Sequence, residues 1–231
     1  MPRLMDDGEL TGSAVVANNT MNRERGLSGV NSYARELGFD PAGWLAGRGG
    51  AVAWLDLCSG EGRALVEAAG LLPDAAELTG VDLVGPLVPP APPYGPAPGA
   101  ARLRLVTAAV ADWTPGRRYD LITCVHGLHY LGDQLGAIVR AAGWLAPDGR
   151  FAAHFDPDSV RHPDGSSAAR PVVAALRAAG FEYRAWRHLL VLDGGRVVRL
   201  PFGYLGADPA AGPNYTGQPA VGSYYREALP V

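Results

Sequence analysis

A chain of 231 residues, 48% apolar and with a formal net charge of −3, is long enough for one α/β domain with a sizeable core. It has no run of like charge to grip a phosphate backbone, which disfavours nucleic acid as a partner. No apolar stretch reaches the roughly 20 residues that span a bilayer, so no membrane partner is expected, and MPRLMDDGEL lacks the basic-then-apolar layout of a signal peptide. All 20 basic residues are arginine; with no lysine amine, Schiff-base chemistry, lysine-anchored pyridoxal phosphate and a P-loop lysine are excluded. Cys58 and Cys124 stand far apart and form no metal-type pair. These features predict a cytoplasmic enzyme, with the oligomeric state left open, a homodimer included.

Residues 1–22 are polar and predicted to be a flexible arm. Residues 23–231 read as a single domain with a helical cap over 23–48 and a C-terminal tail over 206–231. Within the cap, NRERGLSGVNSYARELGFDP predicts a helix, with Val30, Tyr33, Ala34 and Leu37 at helical spacing. Pro41 then opens a second short helix through Trp44 and Leu45. AVAWLDL is a continuous apolar run of strand length, as in a parallel strand covered on both faces. A helix from about Arg63 to Leu72 and a strand over ELTGVDL follow. VGPLVPPAPPYGPAPGAA cannot be regular, because proline removes donors and fixes φ; an extended loop over 85–99 is predicted. RLRLVTAAVADW contains a third strand, and YDLITCVHGLHYL a fourth ending near Val125, with a helix from about Asp133 to Leu145 behind it. FAAHFD is a fifth strand and ARPVVAALRAAG a helix stopped by Gly180. YRAWRHLLVL and RVVRLPFGYL, separated by DGG, predict a hairpin, and AGPNYTGQPAVGSYYREALPV predicts a loop. Alternating strands and helices imply a mostly parallel sheet covered on both faces, with ligands at the carboxyl ends of its strands.

In LDLCSGEG, Gly60 and Gly62 allow the backbone to come within contact of a ligand, and the helix beginning there offers unpaired N–H groups. A dinucleotide fingerprint would need a third glycine where this chain has Leu65. Asp56, just ahead of the turn, suits an ammonium group better than a pyrophosphate. LDLCSGEG, LTGVDL, AVADW, YDLITCVHGLHYL and AAGWLAPDGRF, in that order over roughly residues 30 to 200, resemble the class I S-adenosylmethionine-dependent methyltransferases.

The resemblance implies a Rossmann-like class I methyltransferase fold, with a mostly parallel seven-stranded sheet and a C-terminal antiparallel hairpin. It implies S-adenosylmethionine as cosubstrate, with no metal. Cys58 departs from the pattern, standing where the family usually has its first glycine. By this likeness Asp56, Cys58, Ser59, Gly60 and Gly62 hold the methionine part. Asp82, with Leu83 beside it, accepts from the ribose hydroxyls, a diol needing a paired acceptor. Asp112 meets the adenine amino group, Ala111 and Trp113 border the base, and Val125 lies at the end of the fourth strand.

For the chemistry, His126 is the first candidate as general base or orienting donor, because its ordinary pKa lies near neutrality. His129 follows, although LHYL also suits a packing histidine, and Tyr33 joins them because a sulfonium is attracted to a π face. Asn31, Tyr130, Asn214 and Tyr215 are candidates for the substrate side, with Ser223, Tyr224 and Tyr225 as further pocket-lining residues of the tail. HFDPDSVRH offers His154, Asp156, Asp158 and His162, read as a strand end and loop with no metal.

The leading function is methyl transfer to a small molecule. An alternative consumes the same cosubstrate by attack on its aminocarboxypropyl arm, with intramolecular closure to azetidine-2-carboxylate and release of methylthioadenosine. NRERGLSGVNSYARELGFDP and PNYTGQPAV are similar to terminal segments of azetidine-2-carboxylate synthases of this fold. A non-catalytic cofactor-binding partner is the third reading, and the intact CSGEG and Asp82 argue against it.

Overall fold

The computed structural model describes residues 3–16, 24–85 and 101–228; the predicted proline loop therefore lies almost entirely outside the described residues. In chain order the regular elements are α1 (Asp7–Thr11), α2 (Tyr33–Leu37), α3 (Pro41–Ala46), β1 (Ala53–Leu57), α4 (Arg63–Ala69), β2 (Glu77–Asp82), β3 (Arg102–Thr107) and β4 (Tyr119–Cys124). Then come α5 (Gln134–Trp144), β5 (Leu145–His154), β6 (Val160–Arg161), α6 (Ala169–Ala178), β7 (Glu182–Arg184), β8 (Leu189–Asp193), β9 (Phe202–Asp208) and β10 (Gly222–Glu227).

Seven strands form one sheet in the order β3-β2-β1-β4-β5-β8-β7. The first five in chain order run parallel, and β8 is antiparallel to both β5 and β7. The chain builds outward from β1 to β3, then crosses back to lay β4 on the other side of β1. The carboxyl ends of β1 and β4 therefore flank the crevice where strand order reverses, the place where such sheets bind ligands. All five residues of β1 are buried. Successive side chains point to opposite faces, so Leu55 and Leu57 pack with Ile138 of α5 and Leu176 of α6, while Trp54 packs with Leu37, Leu45 and Leu65 of α2, α3 and α4.

One polar group interrupts β1. Asp56 is fully buried; its Oδ2 accepts from the Tyr33 hydroxyl at 2.6 Å and its Oδ1 from Thr123 Oγ1 at 2.6 Å. Thr123 Oγ1 in turn accepts from Trp54 Nε1 at 2.8 Å. The carboxyl thus ties α2 to β1 and β4. Burial raises its pKa to about 7, against the lowering effect of both hydroxyls.

Four expectations change. The predicted long leading helix is cut to the five residues of α2. Gly29 sits at φ +99°, Gly26 bridges Ser32, and the Ser32 hydroxyl caps the helix by accepting from the Arg35 amide; glycines and a capping serine favour a turn over a helix interior. Val30, at helical spacing in the sequence, is 81% exposed. The DGG turn makes no hairpin: β8 is already paired on both sides, leaving no edge for a following strand. Gly194 and Gly195 instead donate to the carbonyls of Gly149 and Ala146, both at 2.8 Å. The antiparallel hairpin of the sheet is β7–β8.

The tail, predicted as a loop, contributes β10, which lies between β9 and β6 in a separate three-stranded sheet. There Tyr225 is 1% exposed; its hydroxyl donates to Asp133 Oδ1 at 2.9 Å and accepts from the Leu135 amide at 3.0 Å. At the other end, α1 forms where a flexible arm was expected. Asp6 and Glu9 close a capping box, Met5 and Ala207 exchange backbone bonds at 2.8 and 2.9 Å, and the Tyr204 hydroxyl donates to Asp7.

Two outcomes follow. Tyr225→Phe, leaving the buried Leu135 amide unpaired, is expected to lower unfolding free energy by about 1–3 kcal/mol, read by urea titration. For Asp56, the folded-state pKa lies above the ordinary value, so the native state binds the extra proton and its stability contribution falls as pH rises from about 4 to 7. Asp56→Asn should therefore gain stability relative to the parent between pH 4 and 8, by an amount on the order of a few kcal/mol; parallel denaturation curves whose difference is pH-independent would refute the buried carboxyl.

Candidate active site

A cavity of about 440 Å³ opens at the carboxyl ends of β1, β2 and β4. Its floor is the turn after β1, where Cys58, Ser59 and Gly60 reach the wall. The Ser59 amide is held by the Val81 carbonyl at 3.2 Å, and the Gly62 amide by the Ser59 carbonyl at 3.0 Å. Gly60 and Gly62 adopt φ of +60° and +70°. Gly62 stays off the wall; it ends the turn and starts α4, and a Cβ there would lie 2.6 Å from Leu105 Cδ2.

Cys58, in the place of an expected glycine, also takes φ +56°, a conformation costing an L-residue on the order of 1–3 kcal/mol. Its side chain fills the space beside Gly127, where a Cβ would come within 2.3 Å of Cys58 Cβ and 2.8 Å of Cys124 Sγ. Contact with Cys124 and burial keep the Cys58 thiol well above its ordinary pKa, so it is a packing group.

Asp82, at the end of β2, faces the same cavity with Leu83. Its Oδ2 accepts from the Gly60 amide at 2.9 Å and its Oδ1 from the Val84 amide at 3.0 Å, which joins the two turns and fixes the plane of the carboxylate. Asp56 lies behind the wall, with Tyr33 in front of it reaching the cavity. Ala111 and Val125 also line the space. Asp112 and Trp113 do not: Asp112 is exposed, and Trp113 packs edge-on against Trp144 of α5, ring centroids 5.8 Å apart. The wall they leave is supplied by Asp7, Leu10 and Thr11 of α1 with Asp133 and Arg140. Sequence reasoning missed this contribution, though the acidic Asp6–Glu9 spacing carried the signal of a capped helix.

On the opposite wall His126 alone of the chain's five histidines reaches the cavity; behind it His126, His129 and His188 surround Tyr215, and His154 stacks on His126. His126, at φ +56°, lines the cavity with Tyr130 and Asn214. Its Nε2 lies 3.1 Å from Glu36 Oε2 and its Nδ1 3.2 Å from the Tyr215 hydroxyl. His154 stacks on it, ring centroids 4.0 Å apart at 10°, with Nε2 3.6 Å from the same Glu36 oxygen. His188 stacks on Tyr215 at 3.8 Å and 3°. His129 is completely buried, and among the described residues neither of its ring nitrogens has a partner.

The His126 hydrogen bond, opposed by partial burial, holds Glu36 down at about 2. Burial lowers His129 to about 3 and His154 to about 2, so both rings are neutral near pH 7. Burial also pushes the Tyr215 hydroxyl well above its ordinary range. Asn31 borders an outer depression shared with Glu36 and His154, and its Oδ1 accepts from Arg25 Nε at 3.1 Å. The other residues of HFDPDSVRH disperse: Asp156 accepts from the Tyr215 amide, and His162 lies 3.9 Å from Glu227. No helix among the described residues is long and apolar enough to cross a membrane.

Comparison with known proteins agrees with this arrangement. A family model described as a methyltransferase domain matches residues 31–188. A trans-aconitate 2-methyltransferase from Methylobacterium radiotolerans is 34% identical over 109 residues, 47% of this chain and 39% of that protein, so the chain spans about two fifths of that relative. Among solved structures, the N-methyltransferase NodS from Bradyrhizobium japonicum, in complex with S-adenosyl-L-homocysteine, is 16% identical with a TM-score of 0.44, covering 78% of this chain and all of its own. An amino pentose methyltransferase from Micromonospora echinaspora, solved with S-adenosylmethionine bound, is 25% identical with a TM-score of 0.37, covering 53% of this chain and 50% of that one. The family match takes in every parallel strand of the sheet and the residues that carry the cavity floor, Asp82 and His126: the chain belongs to the methyltransferase-domain family, on the α/β class I fold.

Proposed function

We propose that this protein transfers the methyl group of S-adenosylmethionine to a small molecule. The observation that carries the reading is Asp82, held in plane by two backbone amides at the cavity wall, one of them from Gly60 of the adjoining turn of bare main chain. An ionised carboxylate only accepts, through two oxygens, which is the chemistry a ribose diol needs. The methionine end then lies along Cys58, Ser59 and Gly60, with the Tyr33 ring near the sulfonium, an arrangement worth about 0.5–2 kcal/mol for a cation over a π face. Asp56, behind Tyr33, fixes that ring. The adenine lies past Ala111, under α1.

The acceptor side is the wall of His126, Tyr130 and Asn214, where His126 takes up the acceptor's proton and Tyr130 and Asn214 orient the molecule. Alignment of the nucleophile behind the methyl group supplies most of the acceleration, on the order of 7–11 kcal/mol at the limit. A small acceptor agrees with the modest cavity and with the trans-aconitate and amino pentose methyltransferases, whose names specify small molecules.

Asp82→Ala removes charge-assisted hydrogen bonds of about 1.5–3 kcal/mol each, so calorimetric affinity for S-adenosylhomocysteine is expected to fall at least about thirtyfold; unchanged affinity rules out the ribose role. Mass spectrometry of the protein incubated with S-adenosylmethionine should show S-adenosylhomocysteine only when an acceptor-containing extract is added. Methylthioadenosine formed from S-adenosylmethionine alone would overturn methyl transfer.

A further inference from the structure

Glu36, His126 and His154 bring three ligand-type atoms within 4.8 Å of one another, with both Nε2 atoms beside Glu36 Oε2, a grouping no sequence motif announces. Its ring geometry decides what it can do. The two imidazoles lie nearly parallel, 4.0 Å between centroids, so an ion shared between them sits out of both ring planes. With metal–nitrogen bonds of about 2.0–2.1 Å, each bond would have to leave the direction of the in-plane lone pair. The arrangement is poor for a metal and good for a proton.

An ionised carboxylate only accepts, so the contact to Glu36 places a hydrogen on His126 Nε2 and leaves Nδ1 as the basic nitrogen. The Tyr215 hydroxyl donates to that nitrogen at 3.2 Å. His154, almost wholly buried, stacks flat on the ring and prevents it from swinging.

We propose that Glu36 is a positioning residue that orients His126 as a base toward the cavity, and that the acceptor therefore carries an O–H or N–H whose proton must be removed. The inference rests on the methyl-transfer reading. The acceptor's X–H takes the place of the Tyr215 hydroxyl at Nδ1. A lone pair on X forms the X–CH3 bond, the S–CH3 pair returns to sulfur as S-adenosylhomocysteine, and the X–H pair stays on X while its proton moves to Nδ1. The resulting imidazolium is offset by Glu36. A carboxylate acceptor carries no proton to remove and has no use for this device, so phenols, alcohols and amines are the class selected.

Nuclear magnetic resonance of protein labelled with 15N-histidine tests the first half without any acceptor. The His126 signal, identified by its absence from His126→Gln, should show the hydrogen on Nε2 and exchange slowly with water. In Glu36→Ala that exchange should accelerate at least tenfold, and Glu36→Asp should restore part of the protection. A hydrogen on Nδ1 in the parent, or protection unchanged in Glu36→Ala, overturns the positioning role.

The second half is read by presenting phenols, primary amines and carboxylic acids with S-adenosylmethionine and following S-adenosylhomocysteine. Turnover of a phenol or amine that falls at least a hundredfold in kcat in Glu36→Gln, with KM changed less than threefold, supports the proposal. Turnover confined to carboxylic acids, or kcat unaffected in Glu36→Gln, overturns it. If no class turns over, the exchange measurement decides. S-adenosylhomocysteine titrated calorimetrically into the parent separates the two ideas: absent binding defeats the methyltransferase reading, whereas the exchange result speaks to Glu36 alone.

Discussion

The buried carboxyl of Asp56 is the constraint around which the site is organised. It sits at the next-to-last position of β1, in a place from which water is excluded, and two hydroxyls from different elements satisfy it. Tyr33 comes from the short helix ahead of the sheet and Thr123 from the neighbouring strand. A polar group buried without partners costs several times what a made hydrogen bond contributes, so the three residues hold one another in register. That register puts the Tyr33 ring on the cavity wall and sets α2 so that Glu36, one turn along it, reaches His126.

Around that anchor, the cavity is assembled from segments remote in sequence. The turn after β1 supplies bare backbone, the end of β2 a carboxylate held by two amides, and the loop after β4 a histidine in a left-handed conformation. The far ends of the chain complete it. Helix α1 forms one wall, and the loop before β10 brings Asn214 to the cavity and Tyr215 to His126. Stacking of Tyr215 on His188 and of His126 on His154 makes this wall rigid. The neutral imidazoles of His129 and His154 stand near an ionised Glu36, which also pairs with Arg25 at 3.8 Å.

Legibility in the sequence followed the range of the interactions involved. AVAWLDL, ELTGVDL and YDLITC announced parallel strands because burial on both faces demands continuous apolar residues, and each proved to be one. The glycine turn was legible for a local reason, since glycine adopts those dihedrals without strain, and Asp82 was placed at the end of its strand by the length of the apolar run before it. Trp113 was misplaced because its orientation depends on Trp144, thirty-one residues on, which offers an aromatic edge. The DGG hairpin failed because pairing capacity is a property of the sheet; β8 had already used both of its edges. The tail looked like a loop because a short strand rich in glycine and tyrosine has no clear alternation until its partners β9 and β6 are known.

By itself the sequence determined the α/β class, the succession of the parallel strands along the chain, and the glycine turn after the first of them, since each depends on residues within a few positions of one another. Tertiary structure alone decided that Asp56 stands behind Tyr33, that α1 closes the cavity, and that Glu36 and His154 from distant segments meet at His126. Contacts of that kind are set by how elements pack on the sheet, and a hydrogen bond spanning ninety residues leaves no periodic trace in the chain.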